Sequence, residues 1–106
     1  MIKVSVMYPN NPGARFDEAY YLGKHMPMVK ARMGSALKFY VVDKGVGGGA
    51  PGSPAPYLFV VHLHCESIDD FQRGFGPHTQ EIMGDIPNYT DQTPLVQISD
   101  VIVEKG

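Results

Sequence analysis

The sequence predicts a single small α+β domain of ferredoxin-like βαββαβ topology, in which both helices lie on one face of a four-stranded antiparallel sheet. Three observations lead to this expectation. The 106 residues are enough for one domain, residues 1–106, and too few for two cores. Four stretches have the alternation or the β-branched and aromatic content of strands. Two other stretches begin with helix start signals. Their order, β, α, β, β, α, β, is the split βαβ arrangement.

The first strand and the first helix are separated by a turn. Apolar residues alternate with others from Ile2 to Tyr8, and the alternation stops at the turn-forming stretch 9–13. Asp17 is a favourable N-cap for a helix that we expect to extend to about Gly34. This stretch therefore supplies the first β and α elements.

Proline interrupts the first predicted helix. Pro27 has no backbone N–H and clashes with the carbonyl one turn earlier, which predicts a kink near His25 and Met26. At the start of the helix, Phe16 is expected to pack against Tyr21 as a hydrophobic staple. His25 is therefore expected at a distorted turn.

A hairpin with a long loop follows. The stretches 37–43 and 57–65 are rich in aromatic and β-branched residues, which predicts two antiparallel strands. Between them, residues 45–56 include five Gly and three Pro, a composition typical of a mobile loop. This loop is interpreted either as a tolerated surface insertion or as a lid over a pocket.

The second helical region and the last strand complete the pattern. Ser67 and Asp70 have the spacing of an N-cap and its partner, and the helix is expected to restart at Gly76–Pro77 and to end at Gly84. The stretch Leu95–Val103 is predicted as the fourth strand. The polar connection before it contains two prolines.

Composition narrows the classes of function. Hydrophobic residues make up 43% of the chain and charged residues 19%, as in globular proteins. The formal charge of −2 and the scattered basic residues argue against a nucleic-acid partner. Cys65 is the single cysteine, the first residues do not form a signal peptide, and no run approaches the ~18 apolar residues of a membrane span. We expect a cytoplasmic protein that does not enter membranes.

The predicted sheet has one face that the helices do not cover. Its strands are apolar at both parities over most of their length, so the open face should be covered by a partner. A two-fold symmetric homodimer is the simplest solution, since closed dimers are the commonest oligomers. Each subunit would then enclose a pocket between its sheet and its helices.

His25 is the strongest candidate for chemistry. A histidine can take and give a proton near neutral pH without any cofactor. Tyr21 lies four residues earlier on the same helix face, where it would orient the imidazole or donate to a substrate oxygen. The alternative is structural: both side chains pack the helix onto the sheet, and His25 bonds to a carbonyl freed by Pro27.

Four further residues are candidates for substrate binding. His62 and His64 alternate along the third strand and share one face, which we expect to line the cavity, and Tyr40 would reach it from the second strand. His78 follows Gly76–Pro77, where it is either a site residue or an exposed capping residue. The His-x-His spacing suits metal ligation, but a site needs three or four ligands, so no metal is expected.

The motif around His25 resembles the EthD family, named for ethyl tert-butyl ether degradation. Family members have Tyr-x-x-x-His-x-Pro where this chain has Tyr21, His25 and Pro27. Softer similarity extends through Phe75–His78 and the closing stretch 97–100. The resemblance implies the dimeric α/β barrel fold, whose members include cofactor-free isomerases, monooxygenases, heme-degrading enzymes and polyketide cyclases.

Together these observations lead to one leading hypothesis and two rivals. The leading hypothesis is an EthD-like protein of small-molecule catabolism that binds a small hydrophobic or cyclic metabolite in an apolar pocket. It would use cofactor-independent acid/base catalysis through His25, of an isomerase or monooxygenase-like, oxidoreductase type. The first rival is a non-catalytic binding or accessory protein with the same pocket. The second is a heme-binding protein, as among fold relatives.

Overall fold

The fold is the expected ferredoxin-like βαββαβ arrangement. A computed structural model describes residues 1–106. The strands are β1 (Ile2–Pro9), β2 (Phe39–Lys44), β3 (Tyr57–Cys65) and β4 (Leu95–Asp100). The helices are α1 (Glu18–Tyr20), α2 (Met26–Met33), α3 (Ile68–Phe75) and α4 (Thr79–Gly84). The sheet order is β2-β3-β1-β4 with every neighbouring pair antiparallel, which confirms the predicted topology.

A π-helical turn joins α1 to α2 where the sequence predicts a kink. This turn spans Tyr21–His25, and the Met26 N–H bonds back to the Tyr21 carbonyl, five residues earlier. Pro27 follows at once and has no N–H with which to continue the ordinary α-helical ladder. Widening the turn by one residue satisfies the backbone around the proline. The helix ends at Gly34, whose φ of +57° favours glycine.

Side-chain caps begin both helical regions, as the sequence predicts. The Asp17 carboxylate accepts the Tyr20 N–H at 3.0 Å, and the Ser67 hydroxyl accepts the Asp70 N–H at 3.1 Å. The Phe16 ring packs edge-on against the Tyr21 ring, as the predicted hydrophobic staple requires, with centroids 5.0 Å apart. The helix starts are therefore set by local chemistry.

The sheet has one face under the helices and one open face. On β3, Phe59, Val61, Leu63 and Cys65 are buried, while the residues between them are only half-buried. On β1 the residues paired with them, Ile2, Val4 and Tyr8, are buried as well, so the core lies between the two central strands and the helices. The helices do not extend over β4, whose core-side residues stay exposed.

The last strand is shorter than predicted because its partner ends. β4 pairs only with β1, and its final residue, Asp100, lies opposite Ile2 at the start of that strand. Beyond Asp100 the Val101 N–H still donates to the Met1 carbonyl at 3.1 Å, but the strand does not continue, so the predicted extension to Val103 is wrong. None of the helices has the length and apolar character that crossing a bilayer requires.

The glycine-rich loop 45–56 forms hydrogen bonds both within itself and to the turn after β1. The Gly48 N–H donates to the Ser53 carbonyl at 2.9 Å, and the Asn10 side chain donates to the Ala55 carbonyl at 2.9 Å. A Cβ on Gly48 would lie 2.7 Å from the Pro54 carbonyl oxygen, so this turn requires glycine. Gly45 and Gly48 therefore allow close backbone packing in this loop.

Gly74 and Gly23 form a matched pair that tests the packing of α3. A Cβ on Gly74 would lie 2.5 Å from the Ala36 Cβ, whereas a Cβ on Gly23 would meet nothing within 4 Å. We expect Gly74→Ala to lower the free energy of unfolding by about 1 to 3 kcal/mol through overpacking. Gly23→Ala should be neutral or stabilising, because alanine restricts the unfolded chain. Chemical denaturation measures both, and equal effects would contradict the close approach of α3.

Candidate active site

A small cavity lies between the helices and the sheet. Its volume is about 40 Å³, enough for a water molecule and below the size of typical ligand pockets. Tyr8, Tyr21 and His25 are its only residues with polar side-chain atoms, apart from methionine sulfur. The apolar lining includes Met26, Val29, Val61, Leu63, Ile82 and Met83. A ring-sized ligand must therefore displace side chains, for which methionine is well suited.

His25 lies at the end of the π-helical turn and is almost fully buried. Its Nδ1 is 2.9 Å from Oδ2 of Asp85, which directly follows α4. The other carboxylate oxygen of Asp85 accepts hydrogen bonds from the Tyr20 hydroxyl at 2.6 Å and the Asn88 amide at 2.9 Å. Asp85 thus connects both helical regions to the imidazole. This excludes the expectation that His25 bonds to a carbonyl freed by Pro27.

The environment keeps Asp85 ionised and His25 neutral at neutral pH. Partial burial raises the pKa of Asp85, but hydrogen bonds from Tyr20, Asn88 and His25 outweigh it, and the pKa lies below its usual value. Burial lowers the pKa of His25 below 6.5, and the Asp85 carboxylate offsets this only in part. A neutral imidazole beside a fixed carboxylate is a competent proton acceptor.

Two tyrosines extend the hydrogen-bond chain from His25. The Tyr89 hydroxyl is 3.3 Å from Nε2 of His25 and 2.6 Å from the Tyr8 hydroxyl. Burial raises the pKa of both Tyr89 and Tyr8, so both hydroxyls stay protonated. The connected groups run from Asp85 through His25 and Tyr89 to Tyr8, which lines the cavity.

Tyr21 is the exception among the buried polar groups. Its ring lies nearly parallel to the imidazole of His25, with centroids 5.6 Å apart and an angle of 15° between the planes. Its hydroxyl is fully buried near that of Tyr8, but no hydrogen bond of acceptable geometry joins them. Burial and the neighbouring Tyr8 raise the pKa of Tyr21, so the hydroxyl remains a donor. An unpaired buried hydroxyl costs stability and commonly indicates a functional site or a bound water.

His62 and His64 lie on the open face of the sheet, away from this cavity. The reason is the parity of β3, whose apolar residues face the helices and direct the histidines to the other side. His62 is 2.8 Å from the Ser5 hydroxyl and 3.3 Å from the Asp43 carboxylate, and His64 stacks on Phe39 with centroids 4.2 Å apart. The expectation that this polar face lines the cavity does not hold for the cavity beside His25.

The series Ser5, His62 and Asp43 has the connectivity of a nucleophilic triad. Ser5 lies on the central strand β1, which pairs on both sides, so the backbone N–H groups around it belong to the sheet. Acyl transfer needs free donors for an oxyanion beside the nucleophile. These three residues therefore form a polar hydrogen-bonded patch on the open face.

Tyr40 and His78 also lie outside the cavity. Tyr40 is half-buried and borders a surface depression together with Pro27 and Lys30. His78 ends a short 3₁₀ turn before α4 and is half-buried. Tyr40 nevertheless lies close enough to the cavity to contribute to the raised pKa of Tyr21. No group of three or more His, Cys, Asp or Glu side chains is placed to hold a metal ion.

Sequence patterns did not reveal Asp85 and Tyr89. Both lie in the polar connection before β4, and their contacts with His25 span 60 and 64 residues. Tyr8 is predicted only as a strand residue. The one available signal is the position of Asp85 and Tyr89 in a long connection, since such segments often contain functional residues.

The fold and the pairing of buried His25 with partly buried Asp85 define a ferredoxin-like α+β domain with an internal polar site in an apolar cavity. Residues 14–93 match the family model of the EthD domain, which includes the Tyr21, His25 and Pro27 motif. An EthD-like protein from Ralstonia eutropha JMP134 is 52% identical, with a TM-score of 0.93 over 98% of this chain and 94% of that one. The chain therefore belongs to the EthD family.

More distant solved structures share the fold. An ethyl tert-butyl ether degradation family protein from Bacillus halodurans C-125 has 13% identity and a TM-score of 0.65, covering 94% of this chain and 97% of that one. An Arabidopsis thaliana protein has 13% identity and a TM-score of 0.67, covering 94% of each chain. Among curated proteins, no sequence matches.

The lowered pKa of His25 predicts a loss of stability on acidification. Below the ordinary histidine pKa of 6.5 the unfolded chain binds a proton that the folded chain does not, so unfolding becomes easier as pH falls towards the lowered value. His25→Gln should make the free energy of unfolding depend less steeply on pH, because glutamine does not titrate. Chemical denaturation between pH 5 and 7.5 measures this pH dependence, since a change of about 300-fold in proton concentration brackets the ordinary histidine pKa.

His64 also has a pKa lowered by burial and by Lys3, so some slope remains in the variant. The difference between wild type and His25→Gln at each pH isolates His25. An unchanged slope would show that His25 has an ordinary pKa.

Proposed function

We propose that this EthD-family protein binds a small hydrophobic or cyclic metabolite in the cavity and carries out cofactor-independent acid/base chemistry through His25. The observation that supports this most is the buried imidazole held by an ionised carboxylate at the wall of an otherwise apolar cavity. A concave apolar site with few polar groups and a shifted titratable residue is the usual form of an enzyme site. Catabolism of small molecules is the setting that the family name suggests.

The proposed reaction begins with removal of a proton from the bound metabolite. Asp85 is an acceptor only, so it fixes the proton of His25 on Nδ1 and leaves Nε2 as the basic nitrogen. When His25 becomes an imidazolium, Asp85 lies 2.9 Å away to stabilise the charge. Tyr21 would donate to the oxygen of the metabolite as charge develops.

Two outcomes of this step agree with the hypothesis. In an isomerase, His25 returns the proton to another atom of the metabolite, and no redox partner is needed. In a monooxygenase-like reaction, the deprotonated metabolite reacts with molecular oxygen. The isomerase and the monooxygenase-like reaction begin with the same proton transfer to His25. The structure supports that first step and does not favour either reaction over the other.

A non-catalytic binding protein is the second candidate. It is favoured by the full engagement of His25, both of whose nitrogens already contact protein groups, Asp85 and Tyr89. A structural histidine has this arrangement as well. Heme binding receives less support, since a cavity of about 40 Å³ is far smaller than a macrocycle.

The open face of the sheet supports a proposed homodimer. Phe39, Val41 and Leu95 are 44%, 41% and 53% exposed on this face. Apolar strand residues that the helices leave uncovered are typical of an interface. Two sheets packed through these faces would form the dimeric α/β barrel that the family resemblance implies.

Ligand binding is tested first by thermal shift with small ring metabolites. A ligand present at about 100 times its dissociation constant adds about 2.7 kcal/mol to the free energy of unfolding. We expect hits on wild type that weaken in His25→Gln, with conversion of the ligand followed by chromatography. Unchanged binding in the variant would exclude His25 from the site. Binding without conversion would favour the accessory-protein role.

The dimer is tested by light scattering on two variants with the same substitution. Wild type should have about twice the chain mass of 11.6 kDa. Val41→Glu places a charge on the open face and should give monomers, because a buried unpaired charge is costly. Val46→Glu is the control, since Val46 is 98% exposed in the loop. A monomeric wild type at micromolar concentration would contradict the proposal.

A further inference from the structure

The hydrogen bonds around His25 have a single allowed direction. Ionised Asp85 can only accept, so Nδ1 of His25 donates and the neutral ring leaves Nε2 as an acceptor. The Tyr89 hydroxyl must then donate to Nε2, and because it has one proton, the Tyr8 hydroxyl must donate to Tyr89. Each donor in this series of hydrogen bonds thus points away from the cavity and towards Asp85.

This direction leaves one acceptor and one donor at the cavity. The Tyr8 hydroxyl donates its proton to Tyr89, and its oxygen keeps a free lone pair. The Tyr21 hydroxyl has a proton and lies near the Tyr8 oxygen, but no bond of good geometry joins the two, so a ligand hydroxyl placed between them would pair with both. The two rings are neighbours, with centroids 5.8 Å apart. No Lys, Arg, Asp or Glu lines the cavity.

We propose, building on the function proposed above, that the site takes a neutral ligand with a phenolic or enolic hydroxyl, which accepts from Tyr21 and donates to Tyr8. A hydroxyl is the group that matches one donor and one acceptor at once. A carboxylate ligand would lose its hydration without a cation in return. An ether or ketone would leave Tyr8 unpaired, and a hydrocarbon would leave both tyrosines unpaired.

The same geometry makes Tyr8 and Tyr89 the path of the proton. The ligand O–H bond breaks and its proton passes to the Tyr8 oxygen, the proton of Tyr8 passes to Tyr89, and that of Tyr89 passes to Nε2 of His25. The result is a ligand oxyanion held by Tyr21, two neutral tyrosines and an imidazolium beside Asp85. Both nitrogens of His25 are engaged before the ligand arrives, so Tyr89 is the group from which His25 receives the proton.

The ligand class is tested with probes of matched shape: phenol, anisole, toluene and benzoate. Calorimetry on wild type should rank phenol about tenfold above anisole, which lacks only the bond to Tyr8, as one ordinary hydrogen bond can provide. Toluene, which lacks both bonds, should bind more weakly than anisole, and benzoate should bind most weakly. Tyr21→Phe should reduce phenol binding about tenfold and leave toluene unchanged. Tyr57→Phe, which alters a tyrosine outside the cavity, should change neither.

The outcomes separate this inference from the proposed function. Equal affinities for phenol and toluene would overturn the hydroxyl assignment and show that Tyr21 needs only a water, while the apolar site itself would stand. Failure of all four probes to bind wild type would overturn both.

The relay is tested with 4-nitrophenol, which is colourless when protonated and yellow when ionised. We expect the bound dye to ionise at lower pH in wild type than in Tyr89→Phe by about one pH unit, a tenfold change in proton affinity. His25→Gln should show the same shift, since it removes the final acceptor. Tyr89 does not line the cavity, so a merely structural role would change affinity without changing ionisation.

If Tyr89→Phe does not fold, Tyr8→Phe interrupts the same path and gives the same readout. Wild-type ionisation in a folded Tyr89→Phe or Tyr8→Phe, together with a shift in His25→Gln, would show direct transfer to His25 and overturn the relay. No shift in His25→Gln would overturn the proposed function as well.

Discussion

The hydrogen bond between His25 and Asp85 is the interaction on which the site depends. It joins two helical regions that are sixty residues apart in the chain. A hydrogen bond to a charged group contributes about 1.5 to 3 kcal/mol, and losing one partner leaves a buried polar group unpaired. This bond also fixes which nitrogen of His25 has the proton, and the orientations of Tyr89 and Tyr8 follow from that choice.

The imidazole reaches Asp85 because of a defect in the first helix. Pro27 prevents a regular α-helix, and the π-helical turn before it widens the backbone and brings Tyr21 and His25 to the cavity wall. Such turns are frequent at functional sites. In this chain the feature that weakens the helix therefore also forms the site, and the surrounding aromatic rings stabilise it by packing.

Local chemistry explains which parts could be predicted from the sequence. The strands, both side-chain caps and the kink at Pro27 follow from residues within a few positions of one another. The partners of His25 do not, because Asp85 and Tyr89 lie 60 and 64 residues away in the chain and meet it only through the tertiary fold. The face on which His62 lies depends on which side the helices cover, and alternation alone leaves that choice open.

The loop 45–56 combines internal hydrogen bonds with distance from the chemistry. None of its residues lines the cavity, and most are exposed. Closing a longer flexible loop costs little, since the entropy grows only with the logarithm of length. Evolution can therefore lengthen or shorten this hairpin without altering the His25 site, and an engineer can attach a reporter near Gly49, where added atoms meet open space.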